Sequence, residues 1–113
     1  MFRKPKPHMI ESDAGFSVEQ VAFRQLVYRE NDKKVTLSIE YYGDTHAPSF
    51  ILYLAEDDYW DPPSDTVKIS DDEWKRIGDN IREAYGSEGQ KVHVYFPTPE
   101  ERAMKPPGRR TQE

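Results

Sequence analysis

The feature that most constrains the fold is a single segment with a complete helix signal, ISDDEWKRIGDNIREAYG at residues 69–86. Ser70 is a favourable N-cap, and Glu73 three residues later completes a capping box. With a turn of about 100° per residue, the apolar side chains of this segment form one stripe, which consists of Trp74, Ile77, Ile81, Ala84 and Tyr85. A lone amphipathic helix has to bury such a stripe against another layer, so the rest of the chain must supply that layer.

Two glycines in this segment carry separate expectations. Gly78 lies on the apolar stripe, where its cost of about 1 kcal/mol in helix propensity predicts close packing against the neighbouring layer. Gly86 follows the last apolar residue and predicts the end of the helix, because glycine is favoured just after a helix C-terminus.

The layer against which this helix packs is predicted to be a β-sheet. Residues 35–42, VTLSIEYY, alternate between apolar and more polar positions, which is typical of a strand with one buried and one exposed face. Residues 21–30, 50–55 and 91–96 are the other predicted strands, and a further short strand is possible at HMIES or GFSV. We therefore predict an α+β domain in the order β-β-β-α-β, with a small antiparallel sheet of four or five strands covered on one face by the helix.

The ends of the chain differ in composition from its middle. Residues 1–8 are basic and residues 97–113 are rich in proline and charge, so both are predicted to be flexible, leaving residues 9–96 as one domain. The net charge of the chain is −5, and the acidic residues are concentrated in this middle part. An acidic body disfavours direct binding to nucleic acid and favours a basic protein partner, although many soluble domains are acidic for solubility alone.

The composition also limits the cellular compartment in which we expect the chain. The chain contains no cysteine, which excludes disulfides and thiolate zinc sites. No apolar run has the length of a membrane span, and the basic start MFRKPKPHMI lacks the apolar segment of a secretory signal. We expect a soluble, cytoplasmic protein that is a monomer or a weak homodimer.

The acidic stretch EDDYWDPPSD at residues 56–65 is the main candidate for function. Aromatic rings among carboxylates are typical of protein interfaces, where the ring is buried and the charge steers association. The two prolines stiffen the loop, which lowers the entropy lost on binding. The predicted partner contacts are Asp57, Asp58, Tyr59, Trp60, Asp61 and Asp65, with Glu40 and Tyr42 as a second patch. For Trp60 a place over the core is an equally good interpretation.

Other chemistry finds less support in the sequence. The spacing of the acidic residues does not match a calcium loop, and no histidine, serine or glycine motif for catalysis accompanies them. We therefore predict no catalytic residue, no metal ligand and no cofactor. A metal-binding or metal-dependent hydrolytic protein that uses the acidic loop, or a generic acidic adaptor or nucleic-acid mimic, remains an alternative.

One combination of motifs resembles a known family. The run Trp60–Asp61–Pro62–Pro63 precedes a helix with Ile69, Ser70, Glu73, Ile77, Asn80 and Ile81, and VTLSIE with its Glu40 comes earlier. This pattern, over residues 20–96, is similar to immunity protein 74, a family of small immunity proteins from bacterial polymorphic toxin systems. The resemblance implies a cytoplasmic, non-enzymatic antidote that binds and blocks a cognate toxin domain, often a nuclease and so often basic, without a cofactor.

Overall fold

The computed structural model describes residues 1–42, 49–55, 58–97 and Glu100, with only the backbone of Tyr42. These residues form an α+β structure in which one helix packs on a curled sheet of seven strands. The elements in chain order are β1 (Phe2–Lys6), β2 (Met9–Ser12), β3 (Phe16–Ala22), β4 (Gln25–Glu30), β5 (Lys33–Tyr42), β6 (Ser49–Tyr53), α1 (Asp71–Gly86) and β7 (Lys91–Tyr95).

The strands lie in the sheet in the same order as in the chain. Each of the first five strands pairs antiparallel with the next, whereas β7 pairs parallel with β6 after the crossover through α1. The α+β class is confirmed, but the predicted details were wrong in three respects. The described sheet has seven strands rather than four or five, it is mixed rather than antiparallel, and six strands rather than three precede the helix, so the predicted order β-β-β-α-β is incorrect.

The additional strands come from the N-terminal part of the chain. Segment 2–6, which the sequence predicted to be flexible, forms β1 at one edge of the sheet. The Arg3 guanidinium lies 2.6 Å from the Glu11 carboxylate on β2 and 3.1 Å from Asp13. The ring of Phe2 packs edge-on against Phe16, with centroids 6.2 Å apart. Glu11 lies on the next strand and Asp13 directly follows it, so the composition of the basic segment alone does not reveal that it pairs as a strand.

Helix α1 begins as the sequence predicts. The Ser70 hydroxyl accepts a hydrogen bond from the Glu73 amide at 3.1 Å, and the Glu73 carboxylate accepts one from the Ser70 amide at 2.9 Å. All five residues of the apolar stripe are buried in one core with the inward side chains of β3, β4 and β5. The capping box and the amphipathic stripe are therefore both confirmed.

A polar network connects the middle of α1 to β4. The Tyr28 hydroxyl donates to the Glu30 carboxylate at 2.7 Å and accepts from the Asn80 amide at 2.9 Å. Arg76 pairs with the same Glu30 carboxylate through two of its nitrogens. Burial raises the pKa of Tyr28 above its ordinary value, while the hydrogen bond from Asn80 opposes that rise. The phenol therefore stays protonated and keeps its donor role at neutral pH.

The two glycines of the helix behave differently. A Cβ at Gly78 would lie 3.0 Å from Leu54 Cδ1 and 3.2 Å from Val94 Cγ1, so the predicted close packing is confirmed. Gly86 is the last helical residue rather than the residue after the helix, and Ser87 is the C-cap. The left-handed glycine of this turn is instead Gly89, with φ +77°.

These contacts predict opposite effects of the same substitution. Gly86→Ala should raise the free energy of unfolding by about 0.4–1 kcal/mol, because Gly86 has right-handed backbone and no heavy atom within 4 Å of the added carbon. Gly78→Ala should lower it by about 1 kcal/mol, because the new methyl meets two packed side chains. Urea unfolding of both variants measures the difference. An equal gain in stability at the two sites would contradict the packing argument.

Candidate partner-binding site

The acidic loop after β6 is held by backbone hydrogen bonds between its two limbs. The amide of Ile69 donates to the carbonyl of Asp58 at 2.7 Å, and the amide of Trp60 donates to the carbonyl of Val67 at 3.2 Å. Between them, Tyr59 forms an isolated antiparallel bridge with Lys68. The limbs are therefore paired, and the intervening segment 61–66 forms the turn.

Trp60 belongs to the core. Its side chain is fully buried and lies in the same hydrophobic cluster as Ile69 and Trp74. The ammonium of Lys33 lies 5.6 Å from the centroid of the indole ring and helps to cover it. Of the two interpretations that the sequence left open, the described structure has the indole inside, so Trp60 anchors the loop and offers no surface to a partner in this conformation.

Asp61 connects the loop to the sheet. Its amide donates to the carbonyl of Lys34 at 2.8 Å, and its carboxylate accepts a hydrogen bond from the Thr36 hydroxyl at 2.6 Å. Both partners lie in the part of β5 that precedes Ser38, where pairing with β6 begins. Asp61 therefore covers a stretch of strand edge that β6 does not reach, a place where unpaired backbone groups would otherwise meet water.

The other predicted loop residues are distributed around this anchor. Tyr59 is 40% exposed, Asp65 is exposed, and Asp58 is half-buried. Asp57 lies outside the described residues, as does the side chain of Tyr42. The structure therefore leaves Tyr59 and Asp65 accessible, and it brings Asp61 onto the sheet.

The second predicted patch lies on the face of the sheet that α1 does not cover. Glu40 is exposed, and its carboxylate accepts a hydrogen bond of 2.7 Å from the Tyr53 hydroxyl on β6. The Tyr53 ring meets Tyr95 on β7 edge-on, with centroids 5.8 Å apart, and Tyr95 is 42% exposed. Sequence reasoning had not selected these two tyrosines.

Asp61 of the loop and Glu40 of the second patch lie on one surface. Asp61 binds Thr36 of β5. Thr36 and Glu40 are four residues apart on β5, so their side chains project from the same face of the strand, about 13 Å apart. Tyr53 lies between them, opposite Ser38 on the neighbouring strand. We define the tyrosine–acid face by four residues, which are Glu40, Tyr53, Asp61 and Tyr95.

Within the described part of the chain, no group of three or more histidine, aspartate or glutamate side chains is arranged to hold a metal ion. The Asp61 carboxylate is instead bonded to a neutral hydroxyl. In the same residues, no helix is long and apolar enough to cross a membrane.

Comparison with protein families decides the relationship that the sequence suggested. The family model described as Immunity protein 74 matches residues 24–96. The chain belongs to the immunity protein 74 family. No curated protein and no solved structure matched the chain.

The residues that carry the immunity protein 74 resemblance have structural roles here. Trp60 fills the core, Asp61 holds the loop on β5, and Asn80 bonds the buried Tyr28 hydroxyl. The capping pair and the three isoleucines of the motif likewise begin the helix and fill the core. The match begins at Arg24, so β1, β2 and β3 lie before it. In this chain, most of the motif therefore describes how the domain folds.

The roles of Asp61 and Asp65 predict different stability effects. Asp61→Ala should lower the free energy of unfolding by about 1 kcal/mol, because it removes the acceptor for Thr36. Asp61→Asn keeps an acceptor oxygen and should cost less than half as much. Asp65→Ala, at an exposed turn position, should change stability by less than about 0.5 kcal/mol. Urea unfolding separates the three, and equal losses for Asp61→Ala and Asp65→Ala would contradict the assigned role.

Proposed function

We propose that this chain is a non-enzymatic antidote that binds a cognate bacterial toxin domain and blocks it. Membership of the immunity protein 74 family supports the general role. The tyrosine–acid face is the observation that carries the mechanism, because it combines partly exposed aromatic rings with carboxylates on a rigid sheet. Such a surface gains affinity from the buried rings and selectivity from the charges.

The charge of this face favours a basic partner. Among the residues that the structure describes, Glu40 and Asp61 are held in place by hydroxyl groups rather than by ion pairs, so their charge is not cancelled within those contacts. The chain as a whole carries a net charge of −5, which adds long-range attraction for a cationic toxin. We propose a nuclease as the toxin class, because a groove that binds phosphates is basic and an acidic inhibitor competes for it. Blocking needs no cofactor and no chemical step.

The exposed acidic loop extends this surface. Tyr59 and Asp65 lie on a loop that is fixed at one end by the buried Trp60 and along its side by Asp61. A loop restrained in this way loses little conformational entropy when it is bound. We include both residues, together with Asp57, Asp58 and Tyr42, in the proposed contact region, with Trp60 as its anchor.

Complex formation with the product of the neighbouring reading frame tests this function. The double variant Glu40→Gln/Asp61→Asn keeps the acceptor oxygens but removes two charges, so the association rate should fall about three- to tenfold at low salt and the difference should shrink in high salt. The dissociation rate should change less. Stopped-flow or surface-plasmon measurements at two salt concentrations give both rates.

The matched control is Asp72→Asn/Glu83→Gln, which removes the same charges from exposed positions of α1. It should leave the association rate within about twofold of the wild type. Equal slowing by the two double variants would contradict the proposed face. Failure of the wild-type chain to bind the toxin, or to restore growth of cells that produce it, would remove the proposed function.

A further inference from the structure

The tip of the β3–β4 hairpin exposes an aromatic ring that the fold does not cover. Phe23 is 68% exposed and Val21 is 49% exposed, which makes Phe23 the most exposed aromatic residue in the described part of the chain. The tip is a two-residue turn between Ala22 and Gln25. Turns of this length favour glycine and asparagine, so the requirements of the turn do not explain a phenylalanine there.

The exposed ring is held in a fixed position. Phe23 stacks on Tyr41 with ring centroids 5.3 Å apart, and Tyr41 in turn meets the buried Phe50 edge-on at 5.9 Å. The Gln20 side-chain amide donates to the Phe23 carbonyl at 3.3 Å, and the Ile39 amide donates to the Arg24 carbonyl at 3.0 Å. The ring is thus both accessible and preorganised, which lowers the entropy lost when a partner covers it.

The tip also has the composition of an interface hot spot. The guanidinium carbon of Arg24 lies 5.9 Å from the centroid of the Phe23 ring, so a cation accompanies the aromatic surface. Aromatic residues and arginine are enriched at the centre of protein interfaces, where a few side chains provide most of the binding energy.

The backbone of the tip lies beside β5, the strand that carries Glu40. The Arg24 carbonyl bonds the amide of Ile39, the residue directly before Glu40. Gln25, which follows the tip, pairs with Ser38, and Ser38 pairs with Tyr53. The Phe23 ring itself stacks on Tyr41, which projects from the opposite side of β5 to Glu40. A partner that contacts both the ring and the tyrosine–acid face must therefore extend around this end of the sheet.

We propose that Phe23 is the apolar anchor of the toxin interface and inserts into an apolar pocket of the toxin, where a carboxylate at the rim pairs with Arg24. This inference rests on the proposed function and adds to it the residue that anchors the contact. The exposed side-chain area of Phe23 and Val21 is roughly 200 Å², whereas a specific interface buries about 1,200 Å² or more, so the tip alone is too small to hold a second copy of the chain. A toxin that also contacts the tyrosine–acid face buries the additional area.

Binding of the neighbouring toxin domain to Phe23→Ala tests the anchor. The dissociation constant should rise at least tenfold, mainly through faster dissociation, because a hot-spot ring has been removed. Arg24→Glu should weaken binding by a similar factor, whereas Lys75→Glu, the same charge reversal at an exposed position of α1, should change it less than twofold. Far-UV circular dichroism and thermal unfolding confirm that each variant is folded.

The outcomes separate the two proposals. If the wild type binds the toxin and Phe23→Ala and Arg24→Glu bind it with the same dissociation constant, the anchor is overturned and the proposed function stands. Failure of the wild-type chain to bind the toxin overturns the proposed function and the anchor with it. Sedimentation of the wild type as a dimer that Phe23→Ala converts to a monomer assigns the tip to self-association, and this also overturns the anchor.

Discussion

The structure depends on the burial of Trp60 by a loop that contains almost no regular secondary structure. The indole occupies the core beside α1, and the loop that carries it is closed by hydrogen bonds from Trp60 to Val67 and from Ile69 to Asp58. Because Ile69 directly precedes the helix cap, fixing the indole also fixes the place where the helix begins. The largest buried side chains of the loop and of the helix, Trp60 and Trp74, then belong to one cluster.

This arrangement largely separates folding from binding along the chain. Trp60, the capping pair and the isoleucines of the family motif build the core and the start of the helix. Glu40 and Asp61 are the exceptions, because they belong both to the motif and to the proposed contact face. The other accessible candidates lie beside them, on the uncovered face of the sheet and at the hairpin tip. A family of antidotes needs a shared scaffold and individual contact surfaces, since each member must distinguish its own toxin from others. The division seen here is consistent with that requirement.

The sequence was informative where the deciding interaction is local. The capping box of Ser70 and Glu73 and the close approach at Gly78 follow from spacing within one helix. The sequence was insufficient where a residue interacts with another that is distant in the chain. Strand β1, for example, is recognisable only through acidic residues on the next strand, such as Glu11. Trp60 was ambiguous for a related reason, since the side to which a loop aromatic turns depends on tertiary packing. Tyr53 was hidden within an apolar run, although its place on the outer face follows once the register is known.

Solvent accessibility of the tryptophans tests the central claim most directly. The chain contains two tryptophans, and both are fully buried. Their fluorescence in the free protein should therefore be emitted at short wavelength and resist quenching by acrylamide and iodide, and addition of the toxin should leave the quenching unchanged. A strongly quenched fraction in the free protein that becomes protected on binding would contradict the account, because Trp60 would then be a contact rather than the anchor of the loop.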